Sequence, residues 1–139
     1  MHSESLERQL KRHEGLVLHA YQDHLGFWTI GYGRLIDERR GGGISEDEAL
    51  ILLRNDINKV ERELRSRVTY WHDLPPVKRQ ALLNMAFQLG VGGLMQFRRM
   101  WAAIARRDWD TAAREALDSR WAQQTPRRAN EIAGMLRDG

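Results

Sequence analysis

The sequence predicts an α+β fold that is mostly α, with a small antiparallel β lobe and a larger helical lobe joined by one long helix. Strand-forming residues are concentrated between about residues 15 and 44, where glycines and turn residues interrupt two apolar runs. Elsewhere, apolar residues recur at three- and four-residue spacing, which indicates amphipathic helices. The length of 139 residues suits a single domain. We expect the site in the cleft between the two lobes.

Two strands and a short helix are predicted in the first 44 residues. The segment from Ser3 to about Lys11 is acidic at its start, as suits the positive end of a helix dipole. Two β-rich runs follow, Val17–Tyr21 and Phe27–Tyr32, separated by the turn signal Asp23–Gly26. We therefore expect a small antiparallel sheet in this segment.

The remaining chain carries clear helix signals. Ser45 and Glu48 form a capping box at the start of a helix of about 20 residues. Asp108 and Thr125 are predicted N-caps of later helices. The predicted helices cover residues 45–65, 77–89, 94–105, 109–117 and 126–136. The domain of residues 1–139 then divides into a β lobe (about 15–44), a linking helix (45–65) and a helical lobe (1–14 and 66–139).

The composition excludes several classes of protein. Apolar residues make up 42% and charged residues 29%, which excludes a disordered chain. The absence of cysteine excludes a disulfide framework, a thiol nucleophile and a Cys-based metal site. No apolar run approaches the roughly 18 residues of a membrane span, and no signal-peptide pattern is present. We expect a soluble monomer with no cofactor, no metal and no stable membrane association.

Basic side chains are in excess in the second half of the chain. Residues 1–70 carry 11 basic and 12 acidic groups, whereas residues 71–139 carry 11 and 7. This excess suits a polyanionic partner, either nucleic acid or an anionic cell envelope, although on charge alone a solvated surface with a modest excess of arginine is favoured. We expect no nucleic-acid partner, because the basic residues are spread over many predicted helices and no recognised motif is present.

Two carboxylates are the candidates for chemistry. No phosphate-loop, hydrolase-elbow or zinc-protease motif is present, and the five histidines lack metal-ligand spacing. Glu14 precedes the apolar residues Leu16 and Leu18, whose burial would favour its neutral form, whereas Asp23 in a polar turn should stay ionised. Such a pair is typical of glycoside hydrolysis. Alternatively, Glu14 ends a helix and Asp23 forms an Asx turn.

Three segments together resemble the phage-type lysozymes, glycoside hydrolase family 24. They are the segment from Glu14 to Gly33 (EGLVLHAYQDHLGFWTIGYG), the segment Ala81–Gly90 (ALLNMAFQLG) and the segment Ser119–Ala129 (SRWAQQTPRRA). The resemblance implies a lysozyme-like fold. It also implies an inverting muramidase that cleaves the β-1,4 bond between N-acetylmuramic acid and N-acetylglucosamine in bacterial peptidoglycan.

The resemblance also implies roles for individual residues. Glu14 falls at the general acid, Asp23 at the carboxylate that acts on water, and Thr29 at the hydroxyl that helps to place that water. Arg128 falls at the arginine that pairs with the catalytic glutamate. The implied substrate-binding residues are Leu35, Asn84, Phe87 and Gln88.

Some of these positions allow a second interpretation. Asn84, Phe87 and Gln88 could equally be core and capping residues, and Trp121 is more typical of packing than of sugar contact. Met100 and Glu115 stand at two further cleft positions where the family has small polar residues.

For the biological role, the resemblance favours an endolysin. Such an enzyme stays in the host cytoplasm until a holin-type pore releases it to the wall. A tail-associated lysozyme is the alternative with the same chemistry. A catalytically silent wall-binding relative is a third possibility, which the intact set of Glu14, Asp23 and Thr29 disfavours.

Overall fold

The computed structural model describes residues 5–22, 28–31, 34–35 and 43–138. The chain divides into two compact units, Met1–Leu53 and Arg54–Gly139. Helix α1 (Leu6–Glu14), a small sheet and the start of helix α2 (Glu46–Arg67) belong to the first unit, and α2 continues into the second. Helices together with an antiparallel sheet confirm the predicted α+β class.

Local hydrogen bonds define helix α1. The Ser5 hydroxyl accepts a hydrogen bond from the Arg8 amide at 3.2 Å, which satisfies one of the unpaired donors of the first turn. The helix ends at Glu14, three residues beyond the predicted Lys11. Gly15 follows with φ 71°, a left-handed conformation that glycine adopts without steric cost, and its amide donates to the Lys11 carbonyl. The chain is thereby turned into the sheet.

The predicted sheet is confirmed and has a further strand. Strands β1 (Val17–Gln22), β2 (Trp28–Gly31) and β3 (Arg34–Leu35) pair antiparallel in the order β1-β2-β3. Pairing between β1 and β2 is irregular between Val17 and Tyr21. The predicted turn Asp23–Gly26 lies outside the described residues.

The capping box at the start of α2 is confirmed in both directions. The Glu48 amide donates to the Ser45 hydroxyl at 3.1 Å, and the Ser45 amide donates to the Glu48 carboxylate at 3.3 Å. Near its other end, α2 contributes the fully buried Leu64 to the core of the second unit.

The second unit packs short helices around one apolar core. After a 3-10 turn (Trp71–Asp73) come α3 (Pro76–Met95), α4 (Arg98–Ala105), α5 (Trp109–Leu117), α6 (Arg120–Gln124) and α7 (Pro126–Asp138). The largest fully buried side chains of this core are Trp71, Leu64, Leu74, Leu82, Met85, Leu94, Met100, Ile104, Ile132 and Leu136. Small alanines on α4, α5 and α7 are also buried, which lets these helices pack closely.

The division between α3 and α4 differs from the prediction. Gly90 has φ 78° and ψ 156°, which interrupts α3, but residues 91–95 resume the helix. The prediction of one helix over 94–105 is therefore wrong, and α4 begins only at Arg98. The short helix α6, which has Ser119 as its N-cap, was not predicted, because five residues are too few for a periodic pattern.

Of the two predicted N-caps, Asp108 is confirmed and Thr125 acts differently. The Asp108 carboxylate accepts from the Thr111 amide at 3.2 Å at the start of α5. The Thr125 hydroxyl instead donates to the Trp121 carbonyl, and the Thr125 carbonyl accepts from the Ala129 amide in the first turn of α7. Within the described residues, no helix has the length and apolar character needed to cross a membrane.

Candidate active site

The two predicted catalytic carboxylates flank strand β1. Glu14 is the last residue of α1, and β1 begins at Val17 and ends at Gln22, immediately before Asp23. The side chain of Glu14 and the whole of Asp23 lie outside the described part of the chain, so their separation stays a prediction. Leu16 is 52% exposed. The expectation that Leu16 is a buried apolar neighbour of Glu14 is therefore wrong.

Thr29 is a buried residue of the sheet, and its role in placing water stays a prediction. It lies on the central strand β2, with Tyr21 of β1 and Leu35 of β3 as its partners in the two registers. Its side chain is 4% exposed, and a β-branched side chain on a paired strand has few χ1 rotamers. Its χ1 angle is thus restricted. The side chain of Leu35, a predicted substrate contact, lies outside the described residues.

In the second unit, Arg128 and Asn84 form a two-point contact between α7 and α3. The Arg128 Nε donates to Asn84 Oδ1 at 2.8 Å, and its Nη2 donates to the Asn84 carbonyl at 3.1 Å. Because a guanidinium is planar, two hydrogen bonds to one residue define its orientation as well as its position. The pairing of Arg128 with Glu14 that the resemblance implies stays a prediction.

One turn further along α3, Gln88 is oriented by Trp121. The indole Nε1 of Trp121 donates to Gln88 Oε1 at 2.9 Å, which leaves the Gln88 amide nitrogen with donors for another acceptor. The Trp121 ring is 5% exposed and lies edge-on to Phe97, with ring centroids 6.2 Å apart. These contacts agree with the interpretation of Trp121 as a packing residue.

The predicted substrate-binding residues of α3 lie on one exposed face. Residues three and four apart on a helix are neighbours on its surface, which brings Asn84, Phe87 and Gln88 together. All three are exposed, and the Phe87 ring is 45% exposed. Their alternative interpretation as core residues is therefore wrong. Their role in binding substrate stays a prediction.

A cavity of about 640 Å³ opens beside this face in the second unit. Phe97 and Trp121 line it, together with charged residues of α4, α5 and α6. Glu115, which the sequence analysis singled out, lies in its wall half-buried. Met100 also lines the cavity but is fully buried, so it forms part of the core and offers no outer contact.

The other charged residues of the cavity were not predicted from the sequence. They are Arg98, Arg99, Asp118 and Arg120. The one signal in the sequence is a pair of arginines that directly follows Phe97, and it says nothing about α5 or α6. Among the described residues, no group of three or more histidine or acidic side chains could hold a metal ion.

Comparison with known protein sequences covers most of the chain. The family model described as "Phage lysozyme" matches residues 11–137. The pre-baseplate central spike protein Gp5 of Enterobacteria phage T4 is 32% identical over 97% of this chain, which spans 28% of that protein's length. Probable T4-type lysozyme 1 of Dictyostelium discoideum is 27% identical, covering 97% of this chain and 95% of the relative.

A shorter match comes from an endolysin of Acyrthosiphon pisum secondary endosymbiont phage 1. It is 34% identical over 59% of this chain and 55% of that protein. The family match extends from α1 to α7 and includes every segment on which the resemblance was based. The chain therefore belongs to the phage lysozyme family, a family of glycoside hydrolases.

Proposed function

We propose that the chain hydrolyses the β-1,4 bond between N-acetylmuramic acid and N-acetylglucosamine in bacterial peptidoglycan. The observation that carries this proposal is the family match over residues 11–137, which contains Glu14, Asp23 and Thr29 in order. The exposed face of α3 supports it, because an aromatic ring flanked by amides suits a polysaccharide.

The proposed reaction is a single displacement with inversion. Glu14 gives its proton to the glycosidic oxygen as the bond from that oxygen to the anomeric carbon of the muramic acid breaks. Asp23 takes a proton from a water molecule, whose oxygen forms the new bond at the opposite face of that carbon. Thr29 helps to hold this water. The carboxyl groups should lie roughly 6.5–9.5 Å apart, which leaves room for the water.

Replacement of Glu14 tests the general acid. We expect Glu14→Gln to lower turnover on purified peptidoglycan by several orders of magnitude with unchanged thermal unfolding, because an amide has no proton to give to the leaving oxygen. Glu7→Gln is the matched control on the same helix. Its side chain is exposed and pairs with Lys11 at the surface, so activity should be retained. If Glu14→Gln retained a tenth of the wild-type activity, the assignment of Glu14 as the general acid would be excluded.

The stereochemistry tests the role of Asp23. Proton NMR of the first product should show the α-anomer at the new reducing end. A first product with the β-anomer would indicate a covalent intermediate and would overturn the inverting mechanism.

As for the biological role, we propose that the chain is an endolysin that acts as a monomer. It stays in the host cytoplasm until a holin-type pore opens. Cells that produce the protein alone should keep it in the cytoplasmic fraction and lyse only when a pore-forming protein is co-produced. Lysis or a periplasmic location without the pore would contradict this proposal.

The match to the central spike protein favours a second candidate role. In this role, the chain is the lysozyme part of a tail structure that opens the wall locally during infection. Peptides of the chain in purified phage particles would support the tail role, whereas their presence only in the infected-cell lysate would support the endolysin.

A further inference from the structure

Helix α2 exposes large apolar side chains on all sides of its first half. Every residue from 49 to 59 is exposed. Among them are four consecutive large apolar residues, Leu50, Ile51, Leu52 and Leu53, which are 42% to 56% exposed. Successive residues of an α-helix are roughly 100° apart around its axis, so these four side chains point in all directions. One neighbouring surface can therefore cover only part of them.

The buried Leu64 marks the side of α2 that faces the core of the second unit. Leu53 and Ile57 precede Leu64 by about three and two helical turns, which places them on the same side. Ile51 and Leu52 point roughly 120–140° away from that side. They are also the more exposed residues, at 56% and 51%, whereas Leu53 and Ile57 are 42% and 38% exposed. We call Ile51 and Leu52 the outer pair, an apolar patch that is separate from the core side of the helix.

Charges of opposite sign lie at the two ends of this exposed stretch of α2. The first turn of the helix is acidic, with Glu46, Asp47 and Glu48. About two turns beyond the outer pair, Lys59 and Arg62 are exposed and basic. The outer pair therefore lies between a negative group and a positive group on one helix. Such a surface is complementary to itself when a second copy is turned to run in the opposite direction.

We infer that the outer pairs of two copies of this chain pack against each other, with the two α2 helices antiparallel. A two-fold axis near the outer pair then brings the acidic first turn of each helix beside Lys59 of the other. A parallel arrangement would instead place like charges together, which is unfavourable. The contact involves one helix face of each copy, so the dimer is weak and dissociates on dilution. The monomer stays the proposed acting form, and the inference does not depend on the proposed enzymatic activity.

Sedimentation velocity of the unaltered chain tests the inference. The protein is measured at concentrations from about 1 μM to about 1 mM, a range that brackets a weak dimer. We expect the mass to rise from 16.2 kDa towards twice this value, with a Kd on the order of 100 μM. A mass that stays at 16.2 kDa over the whole range would overturn the inference. A mass that rises beyond that of two copies would also overturn it, because a two-fold contact closes at the dimer.

Variants then assign the contact to α2. Ile51→Ser should raise the Kd about tenfold, because each copy loses an apolar contact. Val77 on α3 is 37% exposed, and Val77→Ser, the matched control, should leave the Kd unchanged. Lys59→Glu should also weaken the dimer, and the addition of Asp47→Lys should restore it, because opposite charges again face each other across the two-fold axis. Equal effects of Ile51→Ser and Val77→Ser, or no recovery in the double variant, would refute the antiparallel pairing through α2.

Discussion

A buried lysine provides the sharpest test of the packing described for the second unit. Lys78, near the start of α3, is 3% exposed. Its Nζ donates to the Met135 carbonyl of α7 at 2.9 Å and lies 5.1 Å from the centre of the Trp109 ring. Burial lowers the pKa of Lys78 below its ordinary value of 10.5, while the attraction of Asp138 opposes this shift. The ammonium therefore joins α3, α5 and α7 at the cost of its own desolvation.

Lys78→Met removes the ammonium and keeps a long apolar side chain. The lost hydrogen bond from a charged donor is worth about 1.5–3 kcal/mol. The lost cation–π contact is worth roughly 0.5–1 kcal/mol. Removing a buried charge recovers part of this loss. We therefore expect Lys78→Met to lower the free energy of unfolding by about 1–2 kcal/mol at pH 7, measured by urea denaturation.

The pH dependence gives the stronger test. With the folded pKa of Lys78 below the unfolded value of 10.5, the unfolded chain binds more protons in the interval between the two values. The contribution of Lys78 to the free energy of unfolding therefore rises with pH across this interval. The reason is that the neutral amine still donates to the Met135 carbonyl without the cost of burying a charge. The difference in unfolding free energy between wild type and Lys78→Met should widen as the pH approaches 10.5.

An exposed lysine supplies the control. Lys59→Met, on the exposed surface of α2, also removes one positive charge, and we expect its effect to stay within about 0.5 kcal/mol. The difference in unfolding free energy between wild type and Lys78→Met could instead narrow with rising pH relative to this control. That result would mean that the fold stabilises the ammonium, and it would refute the lowered pKa of Lys78.

Two further predictions concern the backbone and a tyrosine. Gly90→Ala should lower the unfolding free energy by about 1–3 kcal/mol, because the φ of 78° and ψ of 156° at this position favour only glycine. Backbone strain alone causes this loss, since among the described residues no neighbouring side chain or backbone atom lies within 4 Å of the added methyl group. Gly92 has equally open space but lies in the helical part of α3, so Gly92→Ala should instead raise the unfolding free energy by about 0.5–1 kcal/mol. A similar loss of unfolding free energy for both variants in urea denaturation would contradict the assignment of strain to Gly90. Burial raises the pKa of Tyr70 above 10.0, while the Arg107 guanidinium, 4.7 Å from its ring centre, partly lowers it. Arg107→Met should therefore raise the pKa of Tyr70 further. The pKa is measured by ultraviolet titration of tyrosinate, with Tyr70→Phe identifying the signal of Tyr70. An unchanged or lower pKa would exclude the contact between Arg107 and Tyr70.

Local signals in the sequence were sufficient for most of the elements. The capping box of Ser45 and Glu48 and the N-cap Asp108 depend on hydrogen bonds between residues three apart, which a short stretch of sequence contains in full. Two runs of strand-forming residues separated by a turn signal predicted the sheet for the same reason. Gly90 shows the limit of such signals: the residue type permits a break, but only the packing on either side decides that the helix resumes.

The sequence by itself thus determined the fold class, the caps at Ser45 and Asp108, and the family to which the chain belongs. The tertiary structure decided which distant residues meet. Gln88 and Trp121 are 33 residues apart, Asn84 and Arg128 are 44 apart, and Lys78 and Met135 are 57 apart, yet each pair is joined by a hydrogen bond. The same holds for the cavity, whose charges come from three separate helices. Periodicity and capping report only contacts within one or two helical turns, whereas these pairs exist only because apolar burial brings α3, α6 and α7 together.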